Sequence, residues 1–387
     1  MKKKLIISTL VSGLLFFAYF YIELRMPVKF AKDEVEVYIA KGTSFKGAVN
    51  KLVNEGVLRR FSLIYFAGKF KGFDRRMKVG FYKFKSGQSP LSIIDTLGLG
   101  DTVKIKVSVV PGETLKDIAR KFGEVNKTEE IKDSTELSED FLKQSNDTGL
   151  LKSLNVKAPS LEGYLYPDTY VIEKGISSKD ALNTMVSNLR KHYPPDFKEK
   201  ASAIGMTENQ VLTLASIIEK EAKLDSERFQ ISAVYHNRLK MQMQLQADPT
   251  AIYGVKSYKE GVTKSDLKHV TPYNTYKIYG LPPGPIAMPQ QRSILAALEP
   301  ADVPYLYFVA KGDGSHRFSE TYEEHLINVD KYRNALNKPV ADTQEMEPTP
   351  DIKKQQPHQH SKIAKKHKTT KVHSKKKKHS THKRKRR

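Results

Sequence analysis

The sequence contains no cysteine and no tryptophan in its 387 residues. The first absence removes disulfides, thiolate nucleophiles and cysteine-ligated zinc together. It leaves the compartment open, because a chain of this length buries enough apolar surface to fold without covalent staples. Acidic residues are scarce as well: 43 Asp and Glu stand against 66 Lys and Arg, for a net charge of +23. That excess is local. Sixteen of the basic residues lie in 352–387, a stretch without Asp or Glu, so the other 351 residues carry only +7. A nucleic-acid-binding fold therefore does not follow from the overall charge. There is no P-loop, no GxGxxG after a strand, no HExxH and no GxSxG, which removes the common nucleotide and hydrolase frameworks. With 39% hydrophobic residues the chain is not wholly disordered, and its length suggests roughly two to three compact units.

What is present begins at the N-terminus. Residues 1–4 (MKKK) precede 5–22 (LIISTLVSGLLFFAYFYI), a run of 18 residues without a charge. A helix of that length rises roughly 27 Å, enough for a bilayer core with snorkelling flanks. It ends in aromatic residues rather than in the small-x-small site of a cleaved signal peptide. The reading is a cytoplasmic stub over 1–4 and a single transmembrane helix over 5–22. The lysines place the N-terminus inside and the rest of the chain outside the cytoplasmic membrane, with Arg25, Lys29 and Lys32 working weakly against that orientation.

Three passages of 35–122 read alike. VEVYI (35–39) alternates in polarity and leads to Gly42, as GFYKF (80–84) leads to Gly87 and VKIKVSVV (103–110) to Gly112. Two residues after each Gly stands Ser44, Ser89 or Thr114, and ten residues after it stands the last apolar position, Leu52, Leu97 or Phe122. A hydroxyl at that point is an N-cap, and Pro90 suits a first helical position, so each copy predicts a strand, a tight turn and a short helix. The third copy, VPGETLKDIARKF (110–122), resembles the opening half of a LysM module. That resemblance implies binding of N-acetylglucosamine-containing glycans by a LysM-like region over 30–125; the alternative is a scaffold that only packs. Residues 126–158 are polar and predict a bridge with one short helix around 138–152.

In 159–337 one helix is strongly marked. Thr207 and Gln210 form a capping box ahead of VLTLASIIEKEA (211–222). Glu221 follows Ile218, Ile217 and Leu214 at i+3, i+4 and i+7, so it lies on the apolar stripe, while Glu219 lies about 200° round on the side of Ser216. A carboxyl among aliphatic groups loses solvation of its charged form and its pKa rises, which a general acid requires near neutral pH. The competing reading is that Glu221 ends the helix and pairs with Arg228 or Arg238. Around this helix, LEGYLYPDTY (161–170), QADPTAIYG (246–254) and TPYNTY (271–276) cluster Tyr with Asn, Gln, Asp and Thr in loops, and GLPPGPIAMP (280–289) is a stiff wall. Flat rings and polar edges suit a sugar. After Gly280 the pattern predicts a helix at 293–299, a strand at 305–310, a hairpin turn at 311–314 and a last helix at 321–336. His316 beside the turn reads more readily as structural than functional.

LEGYLYPDTY, LASIIEKEA, VYHNRL, LQADPTAIYG, TPYNTYKIYGLPPGPIAMP and YLYFVAKGDGSHRFS occur in the order found in the endolytic murein transglycosylases, so the chain resembles the YceG-like family. The resemblance is strong over 160–333, moderate over 30–125 and absent over 338–387. Read from the residues themselves, the bridge spans 126–158, and a Lys/His-rich tail without apolar period predicts disorder over 338–387. The resemblance implies an α+β protein: one N-terminal transmembrane helix, a LysM-like βα-repeat region (30–125) and a catalytic domain (159–337). It implies cleavage of peptidoglycan between N-acetylmuramic acid and N-acetylglucosamine, with Glu221 as the catalytic residue. In this reading Glu221 protonates the glycosidic oxygen, then takes the proton of the C6 hydroxyl as it closes onto C1, leaving a 1,6-anhydro end. Gln246, Asp248, Asn274, Tyr276, Tyr164 and Tyr166 are the substrate-binding candidates, and no cofactor or metal is called for. Relatives often place Trp in the segment matching 164–170, so the tyrosines here bear on subsite affinity. A hydrolase would need a second carboxylate, for which Glu162 and Asp248 are the candidates.

The tail predicts salt-sensitive binding to anionic envelope polymers or lipid headgroups and no nucleic acid; the irregular spacing of its histidines speaks against a metal site. The family reading also makes peptidoglycan synthases plausible partners. Two further readings stay open: a non-catalytic glycan-binding envelope module, and a polyanion tether driven by the tail.

Overall fold

A computed structural model of the chain describes residues 2–59, 62–128 and 133–337; the expected disordered tail, 338–387, lies outside them. The first helix, α1 (Lys2–Arg25), is apolar along most of its length. Among the described residues one helix is long and apolar enough to cross a membrane, Ile6–Arg25, with a mean hydropathy of 1.7. Its side chains from Ile6 to Ile22 are mostly exposed, whereas Phe20, Leu24 and Val28 turn into a hydrophobic cluster formed by the residues that follow, up to Leu97.

That cluster is built from the first two repeats. Strand β1 (Glu34–Ile39) leads through the turn at Gly42 to α2 (Phe45–Asn54), which Ser44 caps by accepting from Gly47 N. After α3 (Ser62–Phe70) and a short 3-10 turn, β2 (Gly80–Lys85) pairs antiparallel with β1, Val37 opposite Tyr82. The second copy then runs through Gly87 to α4 (Pro90–Leu99), capped by Ser89 and opened by Pro90. Gly42, Gly87 and Gly112 all have positive φ, between +79° and +92°, which only glycine adopts without strain. The last apolar positions predicted for these two copies, Leu52 and Leu97, are buried here, together with Phe45, Ala48, Val49, Ile93 and Ile94 of the same helices.

The third copy has the same local form and a different partner. Strand β3 (Lys104–Ser108) and α5 (Leu115–Val125), with a reciprocal Thr114–Asp117 capping box, repeat the strand, turn and helix. Leu115, Ile118, Ala119 and Phe122, however, enter a second cluster that runs from Val107 to Leu298. Where one short helix was expected over 138–152, two form: α6 (Ser134–Ser145) and α7 (Thr148–Ser153). Asp147 breaks the run, because its carboxylate caps α7 by accepting from Leu150 N at 2.7 Å. Strand β4 (Thr169–Glu173) then closes on β3, Val107 opposite Tyr170.

Further helices complete the second cluster and its cover. Helices α8 (Ser178–Lys191), α9 (Phe197–Ala203), α10 (Glu208–Glu221) and α11 (Arg228–Lys240) are followed by the short α12 (Asp248–Ile252), a long irregular stretch, and α13 (Gln291–Leu298). The expected hairpin is β5 (Tyr307–Ala310) with β6 (His316–Ser319), and α14 (Tyr322–Asn337) ends the described chain. The result is a helix-rich α+β chain with three two-stranded antiparallel sheets among the described residues.

Phe122 ties the third repeat to this body: it is fully buried, with its ring 4.8 Å from that of Phe141 on α6. Phe122→Ala should therefore destabilise the fold by about 3–5 kcal/mol, read as a lower urea midpoint, whereas the exposed Val110→Ala should leave it nearly unchanged.

Candidate active site

Helix α10 is held at its start by the expected box: Thr207 accepts from Gln210 N, and Gln210 Oε1 accepts from Thr207 N at 2.9 Å. From Val211 to Ile218 every residue is buried, so the helix is a core element with neighbours on all sides rather than a single apolar stripe. Its last turn emerges as Glu219, Lys220 and Glu221, and the three side chains part company.

Glu219 accepts from Gln290 N and Ser293 Oγ and is paired with Arg228, whose guanidinium is as buried as the carboxylate. These bonds fasten the start of α13 to the end of α10. Lys220 donates to Gly112 O and lies over the Tyr258 ring, 3.9 Å from its centroid. Glu221 goes elsewhere. Among the described residues no ion pair involves it, and both arginines that could have neutralised it are occupied. Arg228 serves Glu219 and Asp225; Arg238 donates to the carbonyls of Leu306 and Leu245. Desolvation of the carboxyl, reinforced by the negative charge of Asp248, pushes Glu221 up to about 8, with Tyr235 holding it down in part. The residue as a whole is only half-buried, while its carboxyl is poorly solvated.

Asp248 reaches this place through a zipped pair of segments. Gln246 N donates to Thr275 O, Ala247 N to Thr275 Oγ1, and Thr275 N to Thr250 Oγ1. Asp248 then accepts from the Tyr276 hydroxyl at 2.6 Å, while exposed Gln246 has a left-handed φ of 49°. Asn274 is wholly buried, and its side chain is spent locally: Nδ2 donates to the carbonyls of Leu267 and His269, and Oδ1 accepts from Tyr276 N. It shapes the loop that presents Tyr276.

Thus Asp248 and Tyr276 lie beside Glu221, Gln246 and Asn274 sit in the two segments that carry them, and the tyrosines of LEGYLYPDTY do not join them. Tyr164 is fully buried and its hydroxyl faces Asn209, at the opposite end of α10 from Glu221, roughly 18 Å away along the helix. It fills core. Tyr166 stacks on His192 with centroids 3.8 Å apart. Glu162 is buried, accepts from Leu115 N and from the Tyr253 hydroxyl at 2.9 Å, and is likewise pushed to about 8 by burial. It ties the start of α5 to the end of α12. The neighbouring Gly163 has no room for a side chain, since a Cβ would stand 2.4 Å from Pro285 of the stiff loop. His316 is engaged by Glu227, which accepts from its backbone N and meets Nδ1 at 2.7 Å.

One residue of this site went unremarked in the sequence. Tyr235 of α11 is buried, and its hydroxyl makes no hydrogen bond of ordinary geometry among the described residues; its strongest polar influence is Glu221, whose pKa its hydrogen bonding lowers and whose charge raises its own. Its signal was the VYHNRL motif, in which Tyr235 and Arg238 stand at i and i+3 on one face of a helix.

The sequence model of the YceG-like family matches residues 37–331. The chain is 33% identical over 319 residues to the endolytic murein transglycosylase of Bacillus subtilis, covering 80% of this chain and 88% of that protein. It is 28% identical over 360 residues to the endolytic murein transglycosylase of Streptococcus pneumoniae serotype 2, covering 86% of this chain and 64% of the longer relative. Among solved structures, a yceG-like protein from Listeria monocytogenes is similar with a TM-score of 0.51 at 32% identity, covering 77% of this chain and 99% of that one.

The two glutamates of the last turn should answer substitution in opposite ways. Glu219→Ala leaves the buried Arg228 guanidinium with only the more exposed Asp225 as a carboxylate partner and should destabilise the fold by up to about 3–5 kcal/mol. Glu221→Gln removes a carboxyl whose pKa is raised from 4.5 to about 8 on folding, so the wild type loses stability relative to the variant as pH climbs between those values. Thermal melts should coincide most closely below pH 4.5, with Glu221→Gln the more stable by the time pH passes about 8.

Proposed function

The chain belongs to the YceG-like family, and we propose that it is a membrane-anchored lytic transglycosylase that cuts peptidoglycan glycan strands from within, with Glu221 as acid and then base. The names of its relatives support the activity. The observation that carries the residue assignment is the desolvated carboxyl of half-buried Glu221, raised to about 8 and in no ion pair among the described residues.

Protonated near neutral pH, Glu221 donates to the glycosidic oxygen between N-acetylmuramic acid and N-acetylglucosamine as the bond breaks. The resulting carboxylate then accepts the proton of the muramic acid C6 hydroxyl while O6 bonds to C1. The product is a 1,6-anhydro end, and no water enters the balance. Asp248, held by Tyr276, supplies negative charge beside the positive charge developing at C1. The free hydroxyl of Tyr235 donates to Glu221 once it has given up its proton. Gln246 projects into solvent at the rim and contacts the sugar; Asn274 acts through the loop it holds. A hydrolase reading keeps Asp248 as the water-activating base, since it lies beside Glu221, whereas Glu162 is spent on Leu115 and Tyr253.

In the same proposal α1 anchors the chain with its N-terminus in the cytoplasm and the folded part outside. The LysM-like region over 30–125 contacts glycan, and 159–337 carries the chemistry. Anionic envelope polymers or lipid headgroups take the basic tail, and peptidoglycan synthases present the nascent strands that it shortens.

Mass analysis of purified peptidoglycan incubated with the full chain should reveal anhydro-muramic ends. Glu221→Gln should lose at least about a hundredfold in rate; wild-type cleavage by that variant would sink the assignment, and reducing ends would turn the reading to the hydrolase. Because the acid must hold its proton, kcat/KM of the wild type should fall as pH rises through about 8. Tyr235→Phe, which removes the group holding that value down, should move the alkaline limb to higher pH and lower kcat more than it changes KM.

A further inference from the structure

The face of the first cluster that borders α1 carries an aromatic pair left open to solvent. Helix α3 packs inward through Ile64 and through Gly68, whose missing Cβ leaves room for the Phe45 ring and Ile94. Phe66 and Phe70, four residues apart and so on one face of the helix, point the other way and are 62% and 96% exposed. A large apolar side chain left almost wholly in water is costly unless something covers it.

Helices α3 and α4 both pack against α1, close to the end of the apolar span. Arg25 closes the span and lies over the Tyr21 ring, the aromatic and basic pairing of a membrane boundary. Arg25 lines one cavity of about 550 Å³ with Ser89, Asp95, Thr96, Leu99 and Asp101. Asp95 in turn holds Lys71 at 2.6 Å, and Lys71 directly follows Phe70. Leu99, on the rim of the same cavity, is 70% exposed. The segment that carries the pair is predominantly basic: residues 59–78 contain seven Lys and Arg and a single acidic residue, Asp74, with Asp95 of α4 taking up Lys71. Lys69, Arg75, Arg76 and Lys78 of this group are exposed. Aromatic side chains ringed by basic ones, next to a transmembrane helix, match the chemistry of an anionic bilayer surface.

We propose that Phe66 and Phe70 of α3 insert into the leaflet on the folded side of the membrane, with Lys69, Arg75, Arg76 and Lys78 on its anionic headgroups, so that the first cluster lies on the bilayer instead of swinging from α1. This rests on the reading of α1 as a membrane anchor and is independent of the chemistry at Glu221. The rings take the acyl boundary, the cations take the phosphates, and the pair of contacts fixes how the folded part is presented to the wall.

The absence of tryptophan makes the test direct. Phe70→Trp gives the full chain a single indole, to be reconstituted in vesicles of phosphatidylglycerol and phosphatidylethanolamine, beside Val270→Trp at a site 87% exposed in the second cluster's cover. The expected result is a blue-shifted emission from the Phe70→Trp chain that brominated acyl chains quench and aqueous iodide does not. That emission should shift back toward the red when uncharged phosphatidylcholine replaces the anionic lipid. The Val270→Trp chain should emit as in water and be quenched by iodide. Water-like emission from the Phe70→Trp chain, quenched by iodide as strongly as the Val270→Trp chain, would overturn the proposal. Shielding from iodide without quenching by brominated lipid would overturn it too, and assign the face to a second copy or another protein. Release of the chain from vesicles by alkaline carbonate would instead refute the anchor reading itself, and the proposal with it.

Discussion

The site depends on keeping cations away from one carboxyl. Glu219 and Glu221 are two residues apart on the same helical turn, and the next helix carries two arginines, Arg228 and Arg238. Arg228 is locked to Glu219 and Asp225, and Arg238 is turned onto backbone carbonyls of the β5 approach and of the segment before α12. Had either reached Glu221, an ion pair would have pulled its pKa down and left a carboxylate with no proton to give. Instead the charge felt most strongly is Asp248, of the same sign, and both effects on Glu221 that dominate push upward. A buried ion pair next door thus has a use beyond stability: it removes a cation from the place where one would do harm.

Holding a desolvated acid at the end of a helix requires that its surroundings not relax around it. Three ties do this without placing a charge on the carboxyl. Ser216 donates its hydroxyl to Thr213 O and accepts from Ile286 N, which pins the proline-rich loop against the middle of α10. The Thr250–Thr275 pair locks the Asp248 and Tyr276 segments to each other. Gly112 N donates to Met288 O while Gly112 O accepts from Lys220, so the turn of the third repeat is itself a wall of this region. A rigid polar frame around a poorly solvated group is what preserves a raised pKa, because water or a flexible lysine would otherwise move in.

Local structure was legible because it is set by neighbours in sequence. Ser44, Ser89, Thr114 and Thr207 cap the helices their positions announced. The different fates of Glu219 and Glu221 were not legible from helical phase, because α10 is buried on all sides and the elements packed on its last turn decide their partners. What sequence could not give is the partner of each element. The third repeat reads like the first two, yet its strand pairs with β4, beyond α6 and α7, because that choice is made by the apolar surface of α6 and α8. The loop tyrosines divide for the same reason. Tyr276 and Tyr164 have similar flanking chemistry, but Tyr164 falls where the second cluster closes and is engulfed. Asn274 looked like a sugar donor and is a loop brace, since a buried turn must satisfy the carbonyls of Leu267 and His269 first. Tyr235 was hidden by lying in a regular helix, where a tyrosine reads as core.

The third repeat then acquires a second meaning. Its helix α5 begins at Leu115, whose backbone N–H is met by the Glu162 carboxyl; the same carboxyl takes the hydroxyl of Tyr253, the residue that follows α12. Helix α12 starts with Asp248, five residues earlier. A single buried carboxyl therefore fixes the distance between the repeat and the acid's like-charged neighbour, across 47 residues of chain on one side and 91 on the other. The positive end of α5 favours the ionised form of Glu162, but burial outweighs it and raises the value from 4.5 to about 8. Glu221 is displaced over the same range. A raised carboxyl contributes stability that is fully present below its unfolded value and is lost as pH climbs through the folded one. The frame and the acid it holds are consequently exposed to the same rise in pH, and they weaken together.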